Sequence, residues 1–346
     1  MSGQDFSILQ QKFIRKLDTN FNRFIFVGDK YQCQPQGTKI LMSDKTYKNI
    51  EDIKIGDNVI QFVEGKASYF TSGNSNKEGV VTDIQKTMTD TIIKCTTVSG
   101  KITRYTPNHK CYAKFNTREG YIVYIMCDNT ERYRIGVTQL FKDKENMGFG
   151  LKLRMRQEKC KYGWIISYHK TKKEALFTET YLSLKYQIPQ IIFYDGVKHQ
   201  KSLNNSNKLY DLLGRDFIKN NVEKCLLDFN KDINFPFVKV GDYSNHISSN
   251  HKFNIEACNI IPEVMSFAVY NENNYRYKNK IKNSHNKREL KIDYDKILTV
   301  DIIKTNETVY CLNVDDQHNY VADGVLTHNC IYRFCRSRCT FFRKIK

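Results

Sequence analysis

No run of apolar residues in the chain is long enough to cross a bilayer. The first residues, "MSGQDFSILQ", are polar and have no apolar core of a secretory signal. No GxxxxGK[ST] phosphate loop occurs anywhere, which excludes a working P-loop ATPase. Acidic residues are in short supply, with 37 Asp and Glu against 55 Lys and Arg, so the formal charge is +18. Such a balance points toward a polyanion, nucleic acid first, or toward a composition rich in Lys and Asn for other reasons. Cysteine is not scarce, but its count of 11 is odd. Without a secretory signal, a reducing compartment is expected (cytoplasm or nucleus), with cysteines working as thiols. "CIYRFCRSRC" (Cys330, Cys335, Cys339) has no partner pair with zinc-site spacing, so a structural zinc is not expected.

What is present begins with "VLTHNC" near the end, where a histidine, an asparagine and a cysteine stand in line. An amide that cyclises, a proton donor and a nucleophile meet there. Alone, such a run is usually an ordinary turn. The two ends of the chain supply the context. "RFIFVGDKYQ" closes at Gln32, and "CIYRFCRS" opens at Cys330. Joined, they read "FVGDKYQ–CIYRF", which resembles a motif of superfamily 1 DNA helicases, and "GQDFSILQ" (Gln4, Asp5) resembles the acidic ATPase motif upstream of it. Residues 1–32 and 330–346 are far too few for a helicase. They are therefore expected to be two pieces of a host protein interrupted by residues 33–329.

Directly after Gln32 comes "CQPQGTKILMSDKTYKNIEDIKIGDNVIQF", a cysteine followed by two short strands around a polar turn. "GKITRYTPNHKCYA" carries Thr-x-x-His at Thr106 and His109, and "TVYCLNVDDQHNYVADGVLTHNC" alternates apolar residues as β-hairpins with "ADG" as a turn. These four blocks, in this order, resemble those of inteins, which share the Hint fold with hedgehog autoprocessing domains. The resemblance implies a mainly β, horseshoe-like Hint domain, discontinuous in sequence, with an inserted α+β unit. It implies autocatalytic splicing with Cys33, Thr106, His109, His318, His328, Asn329 and Cys330 as the working residues. The scissile junctions are Gln32–Cys33 and Asn329–Cys330, the chain's own flanking segments are the substrate, and no cofactor is needed. Cys311 stands where many inteins carry an aspartate. It is either a proton-transfer thiol or an inert strand residue. A Hint domain that only cleaves, or a DNA-binding nuclease with a degenerate splicing half, are the alternatives.

The blocks assign 33–115 and 291–329 to the splicing domain and leave 116–290 for an insert. No convincing LAGLIDADG helix is found; "LYDLLGRDF" lacks the Gly-Asp spacing. "GYIVYIMCDNTERYRIGVT" offers two strands around a polar hairpin, followed by "GLKLRMRQE", the strand "KYGWIISY" and a helix in "TKKEALFTETYLSLKY". This resembles a GIY-YIG homing endonuclease module, with "IVY" and "RIG" as its signatures. The resemblance implies Tyr124 for water activation, Arg154 for the phosphate and Glu179 for a divalent metal, Mg²⁺ being the natural choice. Arg134 replaces the second tyrosine, with Tyr133 adjoining it. The insert is an active nuclease on the double-stranded, intein-free gene or a degenerate relic. "YRYKNKIKNSHNKRELK" (275–291) tracks phosphates or is a solvated linker. Residues 205–257 carry a helical stretch without a catalytic signature. No membrane partner is expected, and the chain is expected to be a monomer.

Overall fold

The computed structural model describes residues 33–62, 76–142, 148–193, 206–240, 247, 253–270 and 292–329. The helicase-like ends, Gln32, Cys330, Cys335, Cys339 and the basic stretch 275–291 lie outside the described residues.

Strands dominate. In chain order they are β1 (Gln34–Pro35), β2 (Lys39–Leu41), β3 (Tyr47–Asn49), β4 (Asn58–Phe62), β5 (Asn76–Thr97), β6 (Ile102–Tyr105), β7 (Lys110–Phe115), β8 (Tyr121–Asp128) and β9 (Tyr133–Gln139). They continue as β10 (Phe141–Lys142), β11 (Gly148–Phe149), β12 (Cys160–His169), β13 (Val238–Lys239), β14 (Phe253–Glu256), β15 (Met265–Tyr270), β16 (Ile292–Val314), β17 (Asn319–Ala322) and β18 (Val325–His328). Four α-helices are described, α1 (Gly150–Gln157), α2 (Lys172–Tyr186), α3 (Ser206–Leu213) and α4 (Arg215–Asp228).

A 12-stranded sheet runs in the order β3-β2-β17-β18-β7-β15-β16-β5-β4, with β1, β6 and β14 joining from the side. Its backbone is the antiparallel ribbon of β5 and β16, 22 and 23 residues long. Their register runs from Ile297↔Thr97 to Val314↔Val81 and shifts at three points. Alternating β-branched residues such as "TDTIIKCTT" suit this long pleat. Each long strand changes partner along its length. β5 pairs with β4 near its start and with β6 near its end, while β16 pairs first with β15 and later with β1. Residues 33–62 and 292–329 are thereby carried into one sheet.

The hairpin of β17 and β18 follows from its turn. Asp323 and Gly324 both have positive φ, 49° and 74°. Two such residues make the two-residue connection whose twist matches the flanking strands. The register Ala322↔Val325 and Asn319↔His328 then places the last histidine opposite an asparagine.

A separate four-stranded sheet, β13-β12-β8-β9, carries the helices. The polar hairpin between β8 and β9 is organised by Asp128, whose carboxylate accepts from the backbone N–H groups of Thr130 and Arg132 and from the Arg132 guanidinium. Helix α2 starts with a capping box. Thr171 accepts from Glu174 N, and Glu174 accepts from Thr171 N. The two sheets meet through aromatic rings, with Phe115 packed on Phe141, Phe149, Phe237 and Phe253.

The sequence predicts the insert over 116–290. The structure returns 253–270 to the large sheet. β14 pairs with β7 (Phe253↔Ala113), and β15 pairs with β7, β16 and β18. The reason is apolar burial, since all six residues of β15 are buried.

Candidate active site at the chain junctions

Cys33 is the first described residue and is buried. Its backbone N–H donates to Thr106 Oγ1 at 2.9 Å, and its carbonyl accepts from Thr106 N at 3.0 Å. The Thr106 hydroxyl also lies 3.2 Å from that carbonyl. Thr106 begins the tight turn between β6 and β7, closed by His109 N donating to Thr106 O at 3.0 Å. The Thr-x-x-His spacing thus puts both side chains of the motif on one turn.

His109 is fully buried. Its ring stacks on Tyr105, centroids 4.7 Å apart and planes 17° apart. Its Nε2 meets Thr327 Oγ1 in a short hydrogen bond. Thr327 belongs to β18 and stands opposite Cys111 of β7. Burial pushes the Tyr105 phenol well above its ordinary pKa. That ring is therefore a neutral face against the imidazole.

At the other junction His328 Nδ1 lies 2.7 Å from the Asn329 carbonyl oxygen. A carbonyl only accepts, so Nδ1 carries the proton and polarises that carbonyl. The His328 ring stacks on Tyr112, centroids 5.4 Å apart. The Asn329 side-chain nitrogen donates to Val314 O at 2.7 Å and to Asn313 Oδ1 at 3.3 Å. The amide nitrogen is thus held by two acceptors. Asn329 N donates to His318 O at 3.0 Å.

His318, which the sequence offers as an assistant, is exposed and has φ of 53°. His318 holds Asn329 through its backbone carbonyl. Cys311 shares a small buried cluster with Cys33, Ile92 and Val309. Cys33 itself is a free thiol.

The motif reading missed several residues that shape this site. Tyr105 and Tyr112 stack on its two histidines, Thr327 meets His109, and Asn313 meets Asn329. Asn319 clamps Phe62, its Oδ1 accepting from Phe62 N and its Nδ2 donating to Phe62 O, both at 2.9 Å. Tyr320 donates to Gln34 Oε1 at 2.8 Å. Tyr105, Tyr112 and Thr327 flank the motifs directly, so aromatic and hydroxyl residues beside each histidine were the available signal.

The four residues implied for a nuclease also gather. Tyr124 (β8) is fully buried, and the Arg134 (β9) guanidinium lies 5.8 Å from its ring centre. Burial raises the Tyr124 pKa, and Arg134, Glu158, Arg154 and Glu179 all bear on its hydroxyl electrostatically. Arg134 donates to Glu158, whose other oxygen accepts from Phe193 N at 3.2 Å. Burial works against the Arg134 charge, but Tyr124 and Glu158 overcome it and raise the guanidinium's pKa. Glu158 was not read from the sequence. Gly136, the last residue of "RIG", is required here. A Cβ would lie 2.6 Å from Tyr124 Oη and 2.7 Å from Arg134 Nη2.

This cluster does not fit Mg²⁺. Both Glu158 oxygens are engaged, Glu179 is a single buried carboxylate, and the buried polar atoms without a protein partner include Tyr124 Oη and the Nε of Arg134 and Arg154. Those guanidinium nitrogens are donors only, whereas Mg²⁺ requires several oxygen ligands. Among the described residues no three His, Cys, Asp or Glu side chains group as a metal site. Nor is any described helix long and apolar enough to cross a membrane.

No family model matches the chain, and no curated protein matches it. Among solved structures, it is similar to a DnaB intein from Synechocystis sp., with 10% identity over 86% of this chain and 99% of that one, at a TM-score of 0.32. A bacterial intein-like domain from Clostridium thermocellum is 12% identical over 86% and 99% of the two chains, at 0.32. The TvoVMA intein is 9% identical over 86% and 97%, at 0.36.

Proposed function

We propose that residues 33–329 are a protein-splicing element that excises itself and joins Gln32 to Cys330. The 12-stranded antiparallel sheet serves as its Hint-type frame. One observation carries the reading. The Cys33 backbone is held at both its N–H and its C=O by Thr106, while the Asn329 carbonyl is held by His328, and both pairs are buried in one sheet.

The chemistry follows from those contacts. Cys33 Sγ attacks the Gln32 carbonyl carbon, the C–S bond forms, and the C–N bond to Cys33 breaks. The thiol loses its proton and the leaving nitrogen gains one, with His109 as the acid. Thr106 fixes the leaving nitrogen so that its geometry is already that of the product amine. The Cys330 thiol then takes the acyl group and returns the Cys33 thiol, giving a branched chain. Asn329 Nδ2 attacks its own carbonyl carbon, assisted by the His328 Nδ1–H, and the bond to Cys330 nitrogen breaks as the succinimide closes. The freed amine of Cys330 displaces its own thioester sulfur and leaves a normal peptide bond. Every proton and acyl group comes from the chain itself.

Intact mass spectrometry of the freshly expressed chain tests this, alongside Cys33→Ala and Asn329→Ala. A joined 1–32/330–346 peptide and a free 33–329 product are expected, both lost in the double variant. Separate end fragments without the joined peptide would make the chain a cleaving element only.

The second reading concerns the insert, which we take as a module that grips a nucleic-acid phosphate in the manner of GIY-YIG nucleases. Its support is the gathering of Tyr124, Arg134, Arg154 and Glu179 about one buried point, together with the +18 charge. Binding of duplex DNA spanning the uninterrupted host joint, weakening with salt and with Arg154→Ala, is the expected result. Salt-independent or absent binding would leave the insert a structural relic.

A further inference from the structure

We infer that Thr327 is a positioning residue for His109 and ties activation of the first junction to the seating of the last strand. The inference rests on the splicing reading above. His109 and Thr327 come from motifs more than two hundred positions apart, yet both are fully buried and share a short hydrogen bond between Nε2 and Oγ1. Neither side chain has much room to leave it. Tyr105 covers one face of the imidazole, and Thr327 is pinned by its register opposite Cys111 on one side and Tyr320 on the other.

The identity of the partner atom decides which imidazole nitrogen does proton work. A backbone carbonyl at Nε2 would hold the neutral ring as the Nε2–H tautomer and leave Nδ1 without a proton. A carboxylate would favour the imidazolium. A hydroxyl both donates and accepts. On this inference Thr327 is the donor to a bare Nε2 in the neutral ring, with the remaining proton on Nδ1, and the acceptor from Nε2–H in the charged ring. In both states Nδ1 is protonated, so the donor needed by the leaving nitrogen is present before and during the first step.

The same residue reports on the far end. Thr327 directly precedes His328 and Asn329, and β18 is the strand that brings His328 against the Asn329 carbonyl. His109 acquires its Nε2 partner only when β18 lies against β7. A thioester formed with β18 unseated would be open to hydrolysis with no downstream nucleophile in place, and this contact suppresses that order of events.

The test uses the full chain carrying Asn329→Ala, so that only the first steps run. Thiol-dependent release of residues 1–32 is timed with Thr327 intact and as Thr327→Val and Thr327→Ser, and the tautomer of His109 is read from ¹⁵N imidazole shifts. Valine removes the hydroxyl at nearly equal volume and is expected to slow release about tenfold, with serine restoring it to within about threefold. The Nδ1–H signature should be kept in the serine variant and lost in the valine variant. Release at the parent rate from Thr327→Val, with an unchanged His109 spectrum, would overturn the inference. Should valine prevent folding, the parent and serine spectra decide, because an Nε2–H tautomer in both is incompatible with it. If the parent itself releases nothing with thiol, the splicing reading fails, and the tautomer comparison still judges the Thr327–His109 contact.

Discussion

In the splicing proposed above, Thr106 and His328 would do similar work at opposite junctions, each gripping a backbone group, the Cys33 N–H and the Asn329 carbonyl. Thr106 offers an acceptor to the Cys33 N–H and a donor to its carbonyl. Replacing it by valine keeps the shape and removes the acceptor, leaving the buried N–H unmet. Thiol-dependent release of residues 1–32 is expected to slow by about ten- to a hundredfold, measured against the parent at fixed thiol concentration. His328→Ala should spare that first step and halt the last one. Without the Nδ1 donor, asparagine cyclisation is expected to slow about a hundredfold. A thiol-labile branched species of precursor mass would then accumulate, visible as a slowly migrating band that collapses on adding thiol. A variant that spliced at the parent rate would remove His328 from the mechanism.

At the scale of elements, the turns explain why some of this fold was legible. The "ADG" turn has a local cause, two residues able to take positive φ, and its hairpin is accordingly readable from the sequence. Thr-x-x-His is readable for the same reason, since one turn carries both side chains. β14 and β15 were not. Burial alternates along "FNIE" and is continuous along "MSFAVY", but nothing local says that they add to β7 and β16 rather than to the insert. Pairing over so long a separation is decided by which apolar face finds a cover. Glu158 was missed likewise, because its partner Arg134 lies on another element and no short motif links them. Gly136 gives the element-scale prediction. Alanine there must displace the buried Tyr124 hydroxyl or the Arg134 guanidinium, at about 1–3 kcal/mol. Urea unfolding followed by Trp164 fluorescence, which reports on β12 of the same sheet, should show a lower midpoint. An unchanged midpoint would mean that the cluster relaxes freely around the added methyl.

For the whole molecule, the decisive question is how much of the chain the 12-stranded sheet needs. The large sheet leaves at the end of β7 and takes the chain back at β14, where Phe253 stands opposite Ala113. The two points of departure and return are neighbours, with Phe115 and Phe253 ring centres 5.3 Å apart and Asn116 N donating to Val264 O at 2.7 Å. A short turn is long enough to bridge a gap between antiparallel partners. Deleting residues 117–252 and closing the gap with a few glycine-rich residues should therefore leave splicing in place. It would uncover the rings of Phe115 and Phe253, so a lower yield of soluble protein is expected. Deleting 116–290, the interval the sequence suggests, removes β14 and β15 as well. β15 lies between β7 and β16 in the sheet order and also touches β18 at Val269↔Val325. Without it, β7, which follows His109, loses its cover beside the ribbon, and the proposed junctions lose their common support. The shorter deletion should yield the joined 1–32/330–346 peptide by intact mass, and the longer one should not. If both splice, β14 and β15 are dispensable and the sheet has another way to close. If neither does, the four-stranded layer supports the junctions through the phenylalanine cluster, and the two sheets act as one unit.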